Sequence, residues 1–370
     1  MTPIEMLMDL FALRYDHHNR RIWQESSLVL EQTLRSLSLE QAHELVQMMR
    51  AQYDFDEDEY LYAHINMYVP GALVPRAEML IEQSIFRPGW LYFGATEATA
   101  KHLLQLVNAT DHAQNRNNLL LSLAWVGGEH VQAQFQEWRA TPPPWRSELF
   151  IAPEEYAVEA GWECTLNGER RDLYHHTSIE LVPPAQQEQA VIGITVLDAI
   201  CHWCQRPLIT LFQIDLSNPR CRFLDPTGTG KLLRIATCSW CYETIFTEVT
   251  LTGGVWWSPM NGKKAAISHQ ASDIEELVLD LTQTLVLGAD RKTPFESLGK
   301  LRLSEKGISQ LGGHPEWVND AIYPVCPRCQ QRMMFIGQVA GDDWFVLGEG
   351  IFYAFFCSSC NVAATDYQQT

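Results

Sequence analysis

The feature that most constrains the fold of this chain is a set of four C-x-x-C pairs. They are Cys201 with Cys204, Cys238 with Cys241, Cys326 with Cys329, and Cys357 with Cys360. Of the ten cysteines, only Cys164 and Cys221 lie outside these pairs. Thiols stay reduced in the cytosol, so this pattern in a cytosolic chain is more typical of metal ligands than of disulfides. The sequence therefore predicts metal sites built from thiolates.

The separation of the pairs predicts two closed zinc sites. A C-x-x-C turn presents two sulfurs to one metal, and a tetrahedral zinc ion takes four ligands. Between Cys204 and Cys238 there are 33 residues, and between Cys329 and Cys357 there are 27, which is room for a small antiparallel sheet in each case. We expect two structural zinc ions in two zinc ribbons, with the eight paired cysteines as ligands. Four thiolates leave no open position for water, which argues against zinc catalysis.

The two halves of this pattern also repeat one another. The stretch "CHWCQRPLITLFQI", which begins at Cys201, aligns with "CPRCQQRMMFIGQV", which begins at Cys326, at a constant offset of 125. The second pairs, in "LLRIATCSWC" and "IFYAFFCSSC", align at an offset of 119. We therefore predict an internal duplication in which each unit is a metal-tied pair of strands. Zinc would tie the ends of each small sheet, which alone buries too little apolar surface to be stable.

The second unit resembles a known family. In "LGGHPEWVNDAIYPVCPRCQQRMMFIGQV", the residues Gly312, Gly313, Pro315 and Trp317 precede the first cysteine pair, and the following strand ends in Gln338. This arrangement resembles the programmed cell death protein 2 family and, more loosely, the bacterial YwqG-like family. No counterpart of "LGGHPEW" precedes Cys201, so the first unit has diverged. The resemblance implies a mostly β, pseudo-duplicated fold that binds other proteins. Its eukaryotic members escort a ribosomal protein, and its bacterial members occur beside polymorphic toxins as candidate immunity proteins.

Helical periodicity marks the first third of the chain. Ser38 and Gln41 form a capping-box pattern before a helix with Ala42, Leu45, Val46 and Met49 on one face. Further on, "NNLLLSLAWV", the pair Gly127 and Gly128, and "EHVQAQFQEW" predict a helix, a turn and a helix that end at "TPPPW". The unit resembles a HEAT-type repeat, with a plain helical bundle as the alternative.

These patterns together predict an α+β fold. We expect a helical HEAT-like module over residues 1–141, a first zinc-ribbon lobe over 142–310 and a second over 311–370.

The charge of the chain bears on its partners. Net charge is −18, with a dense acidic run at Asp54, Asp56, Glu57, Asp58 and Glu59. Such a field repels nucleic-acid phosphates and attracts basic proteins. An ordinary solvated surface is the alternative, but we interpret the run as a surface that binds a basic partner. No signal-peptide pattern and no apolar run of membrane-spanning length is evident, so we expect a cytoplasmic protein that uses no membrane.

No catalytic constellation is evident in the sequence. The segment "PTGTGKLL" at residues 226–233 lacks the first glycine and the Ser or Thr of a phosphate-binding loop, and it predicts a hairpin turn instead. The pairs His17 with His18 and His175 with His176 have no carboxylate or histidine at metal-ligand spacing. We interpret these histidines as surface or capping residues, and Cys164 and Cys221 as buried small residues.

These observations favour a non-enzymatic binding protein. Within that class we expect an immunity protein, or antitoxin, that neutralises a basic bacterial toxin domain by forming a tight complex. The alternatives are an escort for a basic ribosomal protein, a zinc-ribbon protein that binds nucleic acid, and an enzyme whose site the sequence does not reveal.

Overall fold

The computed structural model describes residues 1–15, 26–51, 53, 55–184, 191–193, 195–225, 227–241, 243–263, 284–300, 307–344 and 349–369. The fold is α+β, with most helices in the first part of the chain and antiparallel strands in the remainder. The chain forms two compact units. A helical unit comprises Met1–Asp172 with Leu298–Glu305, and a β unit comprises Leu173–Ser297 with Lys306–Thr370. The predicted boundaries at 141 and 310 each fall inside one of these units.

The helical unit contains eight described helices. They are α1 (Pro3–Tyr15), α2 (Ser27–Ser36), α3 (Leu39–Met49), α4 (Phe55–Tyr68), α5 (Ala77–Glu82), α6 (Glu97–Ala109), α7 (Ala113–Val126) and α8 (Gly128–Ala140).

Helix α3 forms as its sequence predicts. The Ser38 side chain accepts a hydrogen bond from the Gln41 backbone N–H, and the Gln41 side chain accepts one from the Ser38 N–H, so the capping box is complete. All four residues of the predicted apolar face are buried. The cap satisfies backbone donors that the first helical turn leaves open, and the apolar face provides the packing.

Helices α7 and α8 form the predicted helix, turn and helix. Gly127 joins them with φ 59° and ψ −143°, a backbone conformation that residues other than glycine rarely adopt. The apolar residues Val131, Phe135 and Trp138 of α8 are buried.

The helical unit extends beyond residue 141 because a short hairpin packs on α8. The hairpin pairs β1 (Trp162–Cys164) with β2 (Arg170–Asp172). The Trp162 ring stacks on Phe135 at 5.7 Å between centroids, and its indole N–H donates to the Ala124 carbonyl. These contacts place the hairpin in the helical unit, although its strands follow residue 141, where the sequence predicts the end of the helical module.

The β unit contains a nine-stranded sheet and a three-stranded sheet. Its strands are β3 (His175–Val182), β4 (Ile192–Gly193), β5 (Val196–Ile200), β6 (Pro207–Asp215), β7 (Leu232–Thr237), β8 (Ile245–Val249), β9 (Val255–Trp257), β10 (Thr284–Asp290), β11 (Gln310–Gly313), β12 (Met334–Ala340), β13 (Ile351–Cys357) and β14 (Val362–Gln368). The larger sheet has the order β4-β10-β3-β11-β12-β13-β14-β8-β9, and the smaller has the order β5-β6-β7. A four-residue helix, α9 (Gly341–Trp344), follows β12.

The register of the strands supports the predicted duplication. Gln213 on β6 lies opposite Arg234 on β7, and the aligned residues Gln338 and Tyr353 lie opposite each other on β12 and β13. The register of both pairs shifts at the same aligned position, between Thr210 and Phe212 in the first and between Phe335 and Gly337 in the second. The two copies therefore share a strand register and the position of a register shift as well as a cysteine pattern.

The two copies are joined through one sheet and one apolar core. Strand β8 of the first copy pairs with its aligned strand β14 of the second, with Ile245 opposite Thr365 and Phe246 opposite Ala364. The Phe212 ring packs against the aligned residue Gly337, where an added Cβ would lie 3.0 Å from that ring. Apolar residues of both copies belong to the same buried cluster. The two repeated copies thus meet within a single compact unit, whereas residues 142–172 of the first predicted lobe belong to the helical unit.

The second copy also holds the "HPEW" segment by buried polar side chains. Gln338 is fully buried, accepts a hydrogen bond from the Glu316 N–H and donates one to the Ile308 carbonyl. The Tyr353 hydroxyl donates to the Glu316 carbonyl and accepts from the Val318 N–H. In the first copy the aligned Gln213 is only half-buried and accepts from the Arg234 guanidinium. The aligned pairs therefore have different structural roles: Gln338 and Tyr353 hold the "HPEW" segment, whereas Gln213 and Arg234 bond to each other.

This difference predicts unequal effects of one substitution. Gln338→Leu should lower the free energy of unfolding by about 2–5 kcal/mol, because it leaves a buried N–H and a buried carbonyl without their partner. The matched variant Gln213→Leu removes one hydrogen bond between half-buried groups and should cost about 1 kcal/mol. Thermal unfolding of the purified variants measures both effects, and equal losses would contradict the proposed role of Gln338.

Candidate metal centres

The first cysteine pair of each copy lies in the same backbone turn. The Gln205 N–H donates to the Cys201 carbonyl at 2.8 Å, and the Gln330 N–H donates to the Cys326 carbonyl at 2.9 Å. Both glutamines have left-handed backbones, with φ of 61° and 60°. Each side chain then donates back into the turn, to the His202 and Pro327 carbonyls respectively. The glutamine shared by the two repeats is therefore part of the turn that presents the sulfurs.

The turns bring the eight paired cysteines together as two groups of four. Within each group all four sulfur atoms lie within 4.8 Å of one another. The Sγ–Sγ distances are 3.7 Å for Cys201 and Cys241, and 3.4 Å for Cys204 and Cys238. In the second group the distance is 3.6 Å for Cys329 and Cys357. A tetrahedron with metal–sulfur bonds of about 2.3 Å has edges of about 3.8 Å, so each group fits one tetrahedral metal ion. Among the described residues no third group of this kind occurs.

The first group, which we call the aromatic cluster, is well covered. Cys201, Cys238 and Cys241 are buried. The neighbouring Trp203 and Trp257 rings meet edge to face at 5.2 Å. The metal ligands are also core residues, because three of the eight buried residues in this small apolar cluster are cysteines. The cysteines therefore pack directly against apolar side chains such as Trp203, Leu208 and Trp257.

The second group, which we call the open cluster, is more accessible. Only Cys326 is buried, and the other three ligands are partly exposed. The residues within its C-x-x-C pairs are Pro327 and Arg328, and Ser358 and Ser359, where the aromatic cluster has two tryptophans. Arg328 forms an exposed ion pair with Glu248 at 2.6 Å and also donates to the Cys360 carbonyl at 3.4 Å. The two groups thus share geometry and differ in access to solvent.

The predicted partner-binding acidic run needs one correction. Asp54 and the side chains of Asp56 and Glu57 lie outside the described part of the structure. Glu59 is partly exposed, but Asp58 is only 3% exposed and cannot contact a partner directly. Its backbone departs from the helix at φ −123° and ψ 16°, and the side chain lies inside the unit. Most residues of a charged run are exposed, but the non-helical backbone at Asp58 places this one carboxylate in the interior of the helical unit.

The two remaining cysteines are buried, as predicted. Burial raises the pKa of Cys221 to about 11 and also raises the pKa of Cys164. Neither thiol is therefore ionised to a useful extent at neutral pH, which a nucleophile would require.

The predicted surface histidines have different surroundings. His17 and His18 lie outside the described residues, and His176 is exposed. His175 is half-buried, and its pKa is lowered to about 4 by burial and by the neighbouring His176. It is therefore neutral at neutral pH.

Thr227 and Gly230, in the segment that resembles a phosphate-binding loop, donate hydrogen bonds to the preceding carboxylate of Asp225. Asp225 accepts hydrogen bonds from the Thr227 N–H and hydroxyl and from the Gly230 N–H, at 2.6 to 2.9 Å. These bonds also lower the pKa of the Asp225 carboxyl, with the Thr227 hydroxyl as the largest contribution. The donors that would bind a phosphate are thus occupied, which supports a turn rather than a phosphate site.

The helical unit also contains a cavity that the sequence did not reveal. Its volume is about 370 Å³, and its lining includes Ile81, Glu82, Phe86, His102, Leu106 and Leu119. These residues come from α5, α6, α7 and the segment after α5, and within each helix they fit an ordinary amphipathic pattern. Only their packing brings them to one concave surface, so no local signal could have marked them.

Comparison with known proteins gives one informative match. The chain is 39% identical over 273 residues to the uncharacterized protein YpfL of Salmonella typhimurium (strain LT2). The match covers 72% of this chain and 62% of that relative, so the chain spans less than two thirds of the relative's length. No protein-family model and no solved structure matches the chain.

None of the described helices combines the length and the apolar character that crossing a bilayer would require.

The geometry predicts the metal content of the purified protein. With both groups occupied, metal analysis should find two ions per chain. Cys326→Ser should lower the metal content to one ion per chain. It should also unfold the strands around the open cluster, because metal binding supplies part of the folding free energy of this region. Cys164→Ser is the matched control and should keep both ions. A metal-free protein of unchanged thermal stability would contradict the assignment.

The unequal exposure predicts an order of metal loss. In a chelator, Cys329, Cys357 and Cys360 should become accessible to an alkylating reagent before Cys201, Cys238 and Cys241, because the open cluster is less protected. Pulsed alkylation with peptide mass spectrometry measures the rate at each cysteine. Earlier labelling of the aromatic cluster would show that burial does not control access.

Proposed function

We propose that this protein is a non-enzymatic binding protein with two structural zinc ions, and that it neutralises a basic bacterial toxin domain as an immunity protein. The metal sites shape the binding surfaces and take no part in chemistry. The proposal concerns the described units, because the chain spans less than two thirds of the length of YpfL.

The observation that carries the proposal is the closure of both metal sites. Each ion would have four cysteine sulfurs as ligands, and a tetrahedral site of this kind keeps no position for water or substrate. A tetrahedral set of four sulfurs suits zinc or an iron–sulfur centre. The ribbon spacing of the cysteine pairs favours zinc. Zinc bound in this way supplies folding free energy rather than catalysis.

Other reactive groups in the described residues also fit a non-catalytic role. Cys164 and Cys221 are buried thiols with raised pKa values, and His175 is held neutral. The loop that resembles a phosphate site is filled by Asp225. A nucleophile activated by a neighbouring base is the usual sign of covalent catalysis, and none of these groups has that arrangement.

The charge of the chain favours a basic partner. At a net charge of −18, electrostatic steering speeds association with a basic protein and opposes association with nucleic acid. This argues against the nucleic-acid-binding alternative. It agrees equally with an escort for a ribosomal protein, so charge alone does not separate the two binding roles.

The ends of the two sheets offer binding surface in the β unit. Among the described strands, β9 ends the nine-stranded sheet and exposes Trp256, while β5 ends the three-stranded sheet and exposes Val196 and Ile200. An end strand can accept a strand from a partner, and exposed tryptophan is common at the centre of protein interfaces. The resemblance of the second copy to families of protein-binding proteins supports the same role.

A co-expression experiment tests the proposed function. Each gene that flanks this one in its genome is expressed in a heterologous host, with and without this protein. We expect one product that stops growth when expressed alone and is tolerated when this protein is present. The two proteins should then elute from gel filtration as an equimolar complex.

Two outcomes would contradict the proposal. Rescue by amounts of this protein far below those of the toxin would indicate an enzyme that reverses the toxin's effect. Failure of every flanking product to stop growth, together with stable binding of a ribosomal protein, would favour the escort role.

A further inference from the structure

We infer that the cavity in the helical unit binds an arginine or lysine side chain from an extended, basic segment of the partner. This inference rests on the proposed function, because it takes the partner to be a basic protein. It names the site on this protein that contacts the partner and the type of partner side chain that binds there.

The floor of the cavity is apolar and fixed. Ile81, Phe86 and Leu119 line it and are buried, and Leu106 is partly buried beside them. Hydrogen bonds fix the chain that leads to Phe86, since the Tyr92 hydroxyl donates to the Ile85 carbonyl and the Ser122 hydroxyl donates to the Phe86 carbonyl. A floor held in this way exists before any ligand binds, which lowers the cost of ordering.

The described rim of the cavity carries one carboxylate, that of Glu82. Glu82 lines the cavity, is exposed, and makes no ion pair among the described residues. His102, also in the lining, lies 2.8 Å from the Glu78 carboxylate. The described lining includes no lysine or arginine. The nearby Arg116 is buried and paired with Glu148, so its charge is already compensated.

An arginine or lysine side chain matches both parts of this surface. Its aliphatic stem can lie on apolar side chains while its charged end stays near carboxylates and water. A volume of about 370 Å³ is near the lower end of the range of about 300–1,000 Å³ for small-ligand pockets. It therefore suits one long side chain with its neighbours, rather than a whole helix.

A peptide pair tests the recognition directly. The probe is an acetylated hexapeptide with two arginines between leucines, and its matched control replaces each arginine by citrulline, which has nearly the same shape and no charge. Isothermal titration of the full chain should show binding of the arginine peptide at least about tenfold tighter than of the citrulline peptide, equivalent to about 1.4 kcal/mol.

Variants locate the binding site. Glu82→Gln should weaken arginine-peptide binding about two- to fivefold, as expected for one exposed ion pair. Ala109→Trp, at an exposed position of the lining, should fill the cavity and weaken binding at least about tenfold. Glu129→Gln changes an exposed carboxylate on α8 outside the lining and should leave the affinity unchanged. Circular dichroism confirms that each variant is folded.

Several results would overturn the inference. The inference is wrong if the arginine peptide does not bind, or if the citrulline peptide binds equally well. It is also wrong if Ala109→Trp leaves the affinity for the arginine peptide unchanged, or if Glu82→Gln and Glu129→Gln lower that affinity equally. Competition by free spermine at the peptide's own concentration would indicate a site for small polyamines instead.

The peptide assay and the co-expression experiment can fail independently of each other. The peptide assay uses no toxin, so binding at this cavity with failed rescue would reject the immunity role alone. Rescue that Ala109→Trp leaves intact would reject the cavity alone.

Discussion

The arrangement of eight cysteines in two groups of four, each fitted to one metal ion, is the constraint on which the β unit depends. Each group of four joins the start of one strand to the end of its partner, through β6 and β7 in the first copy and β12 and β13 in the second. In the aromatic cluster the ligands are themselves a large part of the local core. Without the metal, three buried thiols would remain where apolar side chains would otherwise provide stability, and a sheet this small has little apolar surface to spare.

The duplication explains how two such small sheets form one unit. Strand β8 pairs with its aligned strand β14, and Phe212 packs against its aligned residue Gly337, so the copies meet through equivalent parts of their surfaces. Around this shared centre the copies have diverged. The second uses Gln338 and Tyr353 to hold the "HPEW" segment, while the aligned Gln213 and Arg234 bind one another.

Features set by short-range chemistry could be predicted from the sequence. The cysteine turns, the Ser38 capping box, the turn at Gly127 and the repeat itself all depend on residues close in sequence or on a direct comparison of two stretches. Features set by long-range packing could not. The pairing of β8 with β14, the stacking of Trp162 on Phe135, the burial of Asp58 and the cavity around Leu119 each depend on segments that meet only in the folded chain.

X-ray absorption at the zinc edge of the purified protein tests most directly whether both metal sites are closed structural zinc sites. We expect a first shell of four sulfur atoms at about 2.3 Å around each ion, with no nitrogen or oxygen ligand. The spectrum should stay unchanged when candidate substrates or small anions are added. A shell that mixes sulfur with oxygen or nitrogen, or one that changes on adding such molecules, would indicate an open site and contradict the non-catalytic assignment.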